Sequence, residues 1–143
     1  VITGWKEQVE KAAIVLKEAG AKRVLPLKVS GPFHSPMLQE AGACLEEVLE
    51  AMPFSQLQVP YVTNVTAGLV EDSAQIKSLL QKQVSSSVRW QQSVEKMIAE
   101  GVDTFVEIGP GKTLAGFIKK INPEVKVVNI SCVADLQLLT QLQ

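Results

Sequence analysis

Two short apolar runs, at 104–108 (Thr-Phe-Val-Glu-Ile) and 125–130 (Val-Lys-Val-Val-Asn-Ile), flank a glycine turn and an amphipathic stretch. This limits the fold more than any other feature of the chain. Both runs are rich in β-branched residues and short enough for buried strands. Between them Gly109-Pro110-Gly111 makes a sharp turn, and Leu114, Phe117, Ile118 and Ile121 recur at helical spacing. A strand, a helix and a strand in that order give parallel pairing, because the returning strand must be carried back over the sheet by the crossover helix.

The rest of the chain repeats this alternation. Residues 1–28 read as strand, helix, strand: Trp5, Val9, Ala12, Ala13 and Leu16 form a helical stripe that Gly20 ends. Val24, Leu25 and Leu27 then read as a short strand, placed at an edge by Pro26. Residues 29–36 hold two prolines and a glycine and form a loop; Ser35 and Pro36 there read as the cap and first residue of a helix. Its apolar stripe is Leu38, Ala41, Leu45, Val48, Leu49 and Met52, stopped by Pro53. A strand at 59–62 and a turn near Gly68 precede a helix capped by Ser73, bearing Ile76, Leu79, Leu80 and Val84. Ser85-Ser86-Ser87 interrupts it, a further helix carries Trp90, Val94, Met97 and Ile98 as far as Gly101, and Leu136, Leu139 and Leu142 mark a closing helix. The expected class is α/β with largely parallel pairing. The character changes near residues 28–30. The opening Val1-Ile2-Thr3-Gly4 reads as the end of a strand without an initiating methionine, which suggests a piece of a longer protein.

Composition excludes several classes. With 143 residues, 46% of them hydrophobic and 20% charged, the chain is suited to a globular core rather than to disorder. The net charge of −1 argues against a nucleic-acid binder that neutralises many phosphates. Residues 1–28 carry +3 of it and the remainder −4, which fits either a solvated helix face or an acidic protein partner. One histidine excludes a His-rich metal centre, and nothing implies a cofactor. Cys44 and Cys132 fit neither a disulfide framework nor a zinc site and read as buried, reduced thiols. No apolar run is long enough to span a membrane, and no signal peptide is recognisable, so the expected setting is soluble and cytoplasmic.

The chemistry-bearing motifs are few. Gly109-Pro110-Gly111-Lys112-Thr113 ends like a P-loop, but position 106, where the first glycine is needed, is Val106, and the P-loop is rejected. There remains a tight turn before a helix N-terminus, a place that favours an anion. His34, the single imidazole, lies in a loop ahead of a helix, where α/β proteins place their chemistry; it is either an ordinary surface histidine or a proton-transfer group. A histidine base needs a nucleophile. None of the ten serines lies in a Gly-x-Ser-x-Gly elbow.

The stretch Val29-Ser30-Gly31-Pro32-Phe33-His34-Ser35-Pro36-Met37 closely resembles the histidine motif of malonyl-CoA:acyl-carrier-protein transacylases. Three further blocks come in the family's order: Val59-Pro60-Tyr61-Val62-Thr63-Asn64-Val65, Val88-Arg89-Trp90, and Phe105-Val106-Glu107-Ile108-Gly109-Pro110-Gly111-Lys112. The opening unit around Gly20-Ala21-Lys22 is also similar, and the resemblance weakens after about residue 122.

The resemblance implies the C-terminal portion of an α/β-hydrolase-like parallel-sheet domain at 29–143. Before it, residues 1–28 would be the trailing β-α-β of a ferredoxin-like small subdomain. It implies ping-pong transfer of malonyl from malonyl-CoA, through a serine, to the phosphopantetheine thiol of acyl carrier protein. His34 matches the family's catalytic histidine, and Gln83 the residue whose main-chain carbonyl orients it; Asn64 matches a residue close to the same pocket. Phe33 resembles the malonyl-selecting form of the motif, in which a bulky ring excludes an α-methyl group. The serine, the oxyanion-hole donors and the carboxylate-binding arginine are expected upstream, in a missing N-terminal part of the same enzyme, so the chain alone should be inactive. Two alternatives stand beside this: an acyltransferase-domain fragment of a multidomain polyketide or fatty-acid synthase, and a non-catalytic acyl-carrier-protein-binding module. Neither a membrane nor a nucleic acid is an expected partner.

Overall fold

In the computed structural model, residues 1–142 are described. They form helix α1 (Lys6–Glu18), a 3-10 turn (Pro36–Leu38) running into α2 (Gln39–Glu50), strands β1 (Tyr61–Val62) and β2 (Leu69–Val70), and α3 (Ile76–Ser85). Then come α4 (Trp90–Ala99), β3 (Thr104–Ile108), α5 (Thr113–Ile121), β4 (Lys126–Ile130) and a 3-10 segment (Val133–Leu142). The chain divides into two compact units, Val1–Val88 and Arg89–Gln143.

In the second unit β3 and β4 pair in parallel, Thr104 opposite Lys126 through Ile108 opposite Ile130, as the alternation requires. Side chains alternate along a strand, and Phe105 belongs to the side that α4 and α5 cover. It packs there with Val94, Ile118 and Val125, with Trp90, Met97 and Val127 around them. Val94 is 0% exposed. Ile108, at the end of the same strand, is 80% exposed. Asn129 pins the turn after β3 by donating to the Gly111 carbonyl at 2.8 Å.

In the first unit α2 lies along α3. A Cβ at Gly42 would stand 3.2 Å from the Gln81 carbonyl oxygen, so the missing side chain sets how closely the two helices approach. The buried face of α2 runs through Gly42 and Leu49, leaving Ala41 and Val48 outside, a rotation from the apolar stripe that the sequence suggests. Leu49, Val70 and Ile76 are the buried hydrophobics of this unit.

Several expectations are corrected. Among the described residues the flanks of α1, at 1–4 and 24–27, carry no strand pairing: the helix forms and the two strands do not, because extended backbone becomes a strand only against a partner edge. The pair β1–β2 is antiparallel, a hairpin closed by the turn that ends at Gly68, rather than part of a parallel sheet. Asp72, not Ser73, caps the turn leading into α3, its carboxylate accepting from Ala74 N–H at 2.8 Å. Both cysteines are exposed, Cys44 on the outer face of α2 and Cys132 just past β4. The closing helix is 3-10.

Much apolar surface has no cover. Helix α1 buries no residue, and Trp5, Ile14, Val15, Leu25 and Leu27 are exposed. The chain exposes 10773 Å². Even two separate compact bodies of these sizes would expose only about 8,700 Å² together. Among the described residues no helix is long and apolar enough to cross a membrane.

Candidate active site

The loop at 29–36 turns so sharply that His34 adopts φ +56°, a left-handed conformation uncommon for a residue with a side chain. Such strain persists where the surroundings over-determine it. Here Ser35, 6% exposed, donates its hydroxyl to the Pro32 carbonyl at 2.7 Å, while its own carbonyl accepts from Leu38 N–H at 3.0 Å. Ser35 therefore does not cap the helix with its side chain, as the sequence suggests; its hydroxyl turns back and closes the loop.

The conformation carries the imidazole to the end of α3, where Nδ1 lies 3.0 Å from the main-chain oxygen of Gln83. The last carbonyls of a helix have no partner within it. Helices α1 and α4 settle theirs with left-handed glycines, Gly20 at φ +94° and Gly101 at φ +95°. Helix α3 ends at Ser85 with extended Ser86 and no such turn, leaving the Gln83 carbonyl free to accept from outside. A carbonyl can only accept, so Nδ1 is the donor in this contact; in a neutral ring Nε2 would then carry the lone pair. The contact holds one edge of the ring against backbone and leaves Nε2 without a hydrogen-bond partner among the described residues.

Phe33 is 53% exposed, and its ring lies over Gly31, where a Cβ would meet Cζ at 3.4 Å. Asn64 sits in the β1–β2 turn, which is held by Thr63: its carbonyl accepts from Ala67 N–H at 2.9 Å, and Ala67 is also left-handed at φ +56°. The structure thus brings His34 and Gln83 together. It records no hydrogen bond from Asn64 to either among the described residues. No hydroxyl, thiol or carboxylate among those residues is hydrogen-bonded to His34, and no group of three or more His, Cys, Asp or Glu could hold a metal.

The α5 N-terminus, a place that favours an anion, already holds an internal one. Glu107 reaches across from β3 and accepts from Leu114 N–H at 3.2 Å and Ala115 N–H at 2.8 Å. Sequence reasoning misses this role, since nothing in local spacing links a strand carboxylate to amides seven and eight residues on. Asp135 does similar work after β4. It accepts from the backbone and hydroxyl of Ser131 and from Cys132 N–H, and these bonds, the Ser131 backbone foremost, hold its carboxyl down to about 2.

The curated relatives include the malonyl CoA-acyl carrier protein transacylase of Bacillus subtilis (strain 168), 45% identical over 141 residues, 99% of this chain and 44% of that protein. The chain is homologous to part of the malonyl CoA-acyl carrier protein transacylases. It spans about 44% of the length of the curated relatives it matches. Among solved structures, MCAT from Streptococcus pneumoniae superposes with a TM-score of 0.91 at 40% identity, over 98% of this chain and 46% of that one. The match is to the C-terminal part of such structures. A structure described as a type II PKS acyl-carrier protein in complex with its malonyl-transacylase, PlMCAT:AntF, gives 0.92 at 36% identity, over 98% and 45%. No protein-family model matches the chain.

Proposed function

We propose that these residues are the histidine-bearing part of an acyltransferase that moves malonyl from malonyl-CoA to acyl carrier protein. The observation that carries this reading is the 3.0 Å contact from His34 Nδ1 to the Gln83 carbonyl. It supports the tautomer with Nδ1 as donor, in which Nε2 can take a proton. In the proposed reaction Nε2 removes the proton from a serine hydroxyl supplied by sequence outside these residues. The serine oxygen attacks the thioester carbonyl, the C–S bond breaks, and the imidazolium returns the proton to the departing coenzyme A thiolate. The phosphopantetheine thiol then attacks the acyl-serine by the same steps in reverse, His34 again serving as base and then acid.

Residues 1–28 belong, on this reading, to a small subdomain and 29–143 to the large one. The exposed apolar side chains support a partner in the rest of the enzyme, as does the total surface, which exceeds that of two compact bodies by about 2,000 Å², more than the ~800 Å² that one partner contributes to an ordinary protein interface. On this reading Phe33, next to His34 in the chain, would narrow the site beside the reacting carbonyl, and Asn64 would line it from the β1–β2 turn. One methyl group in an apolar pocket is worth about 1–3 kcal/mol. Phe33→Ser is therefore expected to lower the malonyl-to-methylmalonyl preference by about 10-fold or more; an unchanged preference refutes that assignment.

The reading is tested by replacing the aligned segment of the Bacillus subtilis relative with this chain. Malonyl transfer to acyl carrier protein is then measured. The expected result is transfer that falls about 10²–10⁴-fold in His34→Ala. A folded chimera without transfer, or transfer indifferent to His34, overturns it.

A further inference from the structure

We infer that Ser35 is a positioning residue for the His34 imidazole, an inference that deepens the reading above and rests on it. The Ser35 hydroxyl makes its hydrogen bond to the Pro32 carbonyl and not to the imidazole. Its effect travels through the backbone. The hydroxyl bond to the Pro32 carbonyl, 2.7 Å long, ties together the two ends of a turn whose interior residues are Phe33 and His34. His34 sits inside that closure at φ +56°, a conformation its Cβ disfavours. Relaxation of that φ toward the ordinary negative region would swing the Cα–Cβ bond and carry Nδ1 away from the Gln83 carbonyl, 49 positions along the chain.

No other bond in the loop holds the turn as directly. Pro32 cannot donate a hydrogen bond, and Gly31 imposes no conformation of its own. The Leu38 N–H bond to the Ser35 carbonyl fixes the residues after Ser35 and leaves φ of His34 untouched. Ser35 is nearly buried, so water cannot readily replace its hydroxyl as the partner of the Pro32 carbonyl. Ser35 thus locks the ring in the orientation that makes Nδ1 the donor and Nε2 the base.

The chain contains a single histidine, which makes the test direct. Nitrogen-15 spectra of the imidazole at alkaline pH, recorded on the Bacillus subtilis chimera with residues 1–143 alone carrying the label, report which ring nitrogen carries the proton. The wild-type chain is expected to show Nδ1 protonated. Ser35→Ala is expected to lose that signature in favour of the Nε2-protonated form that free imidazole side chains prefer, with the amide spectrum otherwise retained. Ser35→Thr, which keeps the hydroxyl, is expected to restore it.

Retention of the Nδ1 proton in Ser35→Ala overturns the inference, as does its loss in both variants. Collapse of the amide spectrum in Ser35→Ala also overturns it, since the hydroxyl would then hold the fold rather than the ring. These failures leave the transacylase reading standing. An Nε2-protonated ring in the wild-type chain would remove the His34–Gln83 contact itself, and the reading with it.

Discussion

Replacing Glu107 by alanine separates two roles that its carboxylate could play, helix cap or reacting group. In the structure Glu107 is a helix cap: its two carboxylate oxygens accept from Leu114 and Ala115 N–H at 3.2 and 2.8 Å, among the first amides of the nine-residue α5. Loss of a side-chain cap costs about 0.5–2 kcal/mol. A negative charge at a helix N-terminus contributes about 0.3–1 kcal/mol more. The two figures overlap, because the same amides supply the partial positive charge, so the expected loss for Glu107→Ala is about 1–2 kcal/mol. For a unit this small each kcal/mol corresponds to roughly 4–8 °C in Tm. Glu107→Gln keeps one acceptor oxygen and loses the charge, and should fall near half that. Urea denaturation monitored by circular dichroism, with the slope unchanged and the midpoint shifted, reads both variants. If Glu107→Ala stays within about 0.5 kcal/mol of wild type, the scatter of ordinary surface substitutions, the capping assignment is wrong. If it abolishes transfer in the chimera at unchanged stability, Glu107 is part of the chemistry instead.

Val94 is 0% exposed at the centre of the second unit; its replacement by alanine removes two carbons and leaves a cavity, with an expected loss of about 2–3 kcal/mol by the same urea titration. Gln83→Ala keeps the main-chain carbonyl and should leave transfer within a few-fold of wild type; a loss approaching that of His34→Ala would mean that the side chain matters. Asp135 has its folded carboxyl lowered from 3.8 to about 2, so its contribution is fully present above 3.8 and lost as pH falls through about 2. The stability difference between wild type and Asp135→Asn should therefore shrink over that window, and a difference independent of pH there refutes the assignment.

Regular elements are legible where local physics decides them. The strand-turn-helix-strand of 104–130 follows from period and length alone, and Gly20 and Gly101 end their helices at positive φ as a reading of the sequence expects. Elements that depend on distant partners are not legible in this way. Residues 24–27 have the composition of a strand, yet no described residue pairs with them, so they stay irregular. The inner face of α2 departs from the richest apolar stripe because Gly42 against the Gln81 carbonyl chooses it. Cys44 and Cys132 are exposed for a related reason: a thiol's burial depends on the groups that pack over it, which local sequence does not state.

In the site, His34 stands out as the only imidazole, but its 49-residue link to Gln83 follows no periodicity and is suggested by the family resemblance alone. Glu107 belongs to a recognisable motif, yet its capping role is hidden because its partners lie across a glycine turn. A serine beside a helix start most often caps the helix; Ser35 instead bonds backwards to Pro32.

On the proposed reading His34 activates a nucleophile supplied by sequence outside residues 1–143. Intact-protein and peptide mass spectrometry of the chimera, quenched at short times after mixing with malonyl-CoA, tests it most directly. The expected result is a single malonyl ester mapping to a serine in the segment retained from the Bacillus subtilis relative, forming about 10²–10⁴-fold more slowly in His34→Ala. A malonyl group found on a residue of 1–143, or an ester that forms at the same rate without the imidazole, would contradict the account.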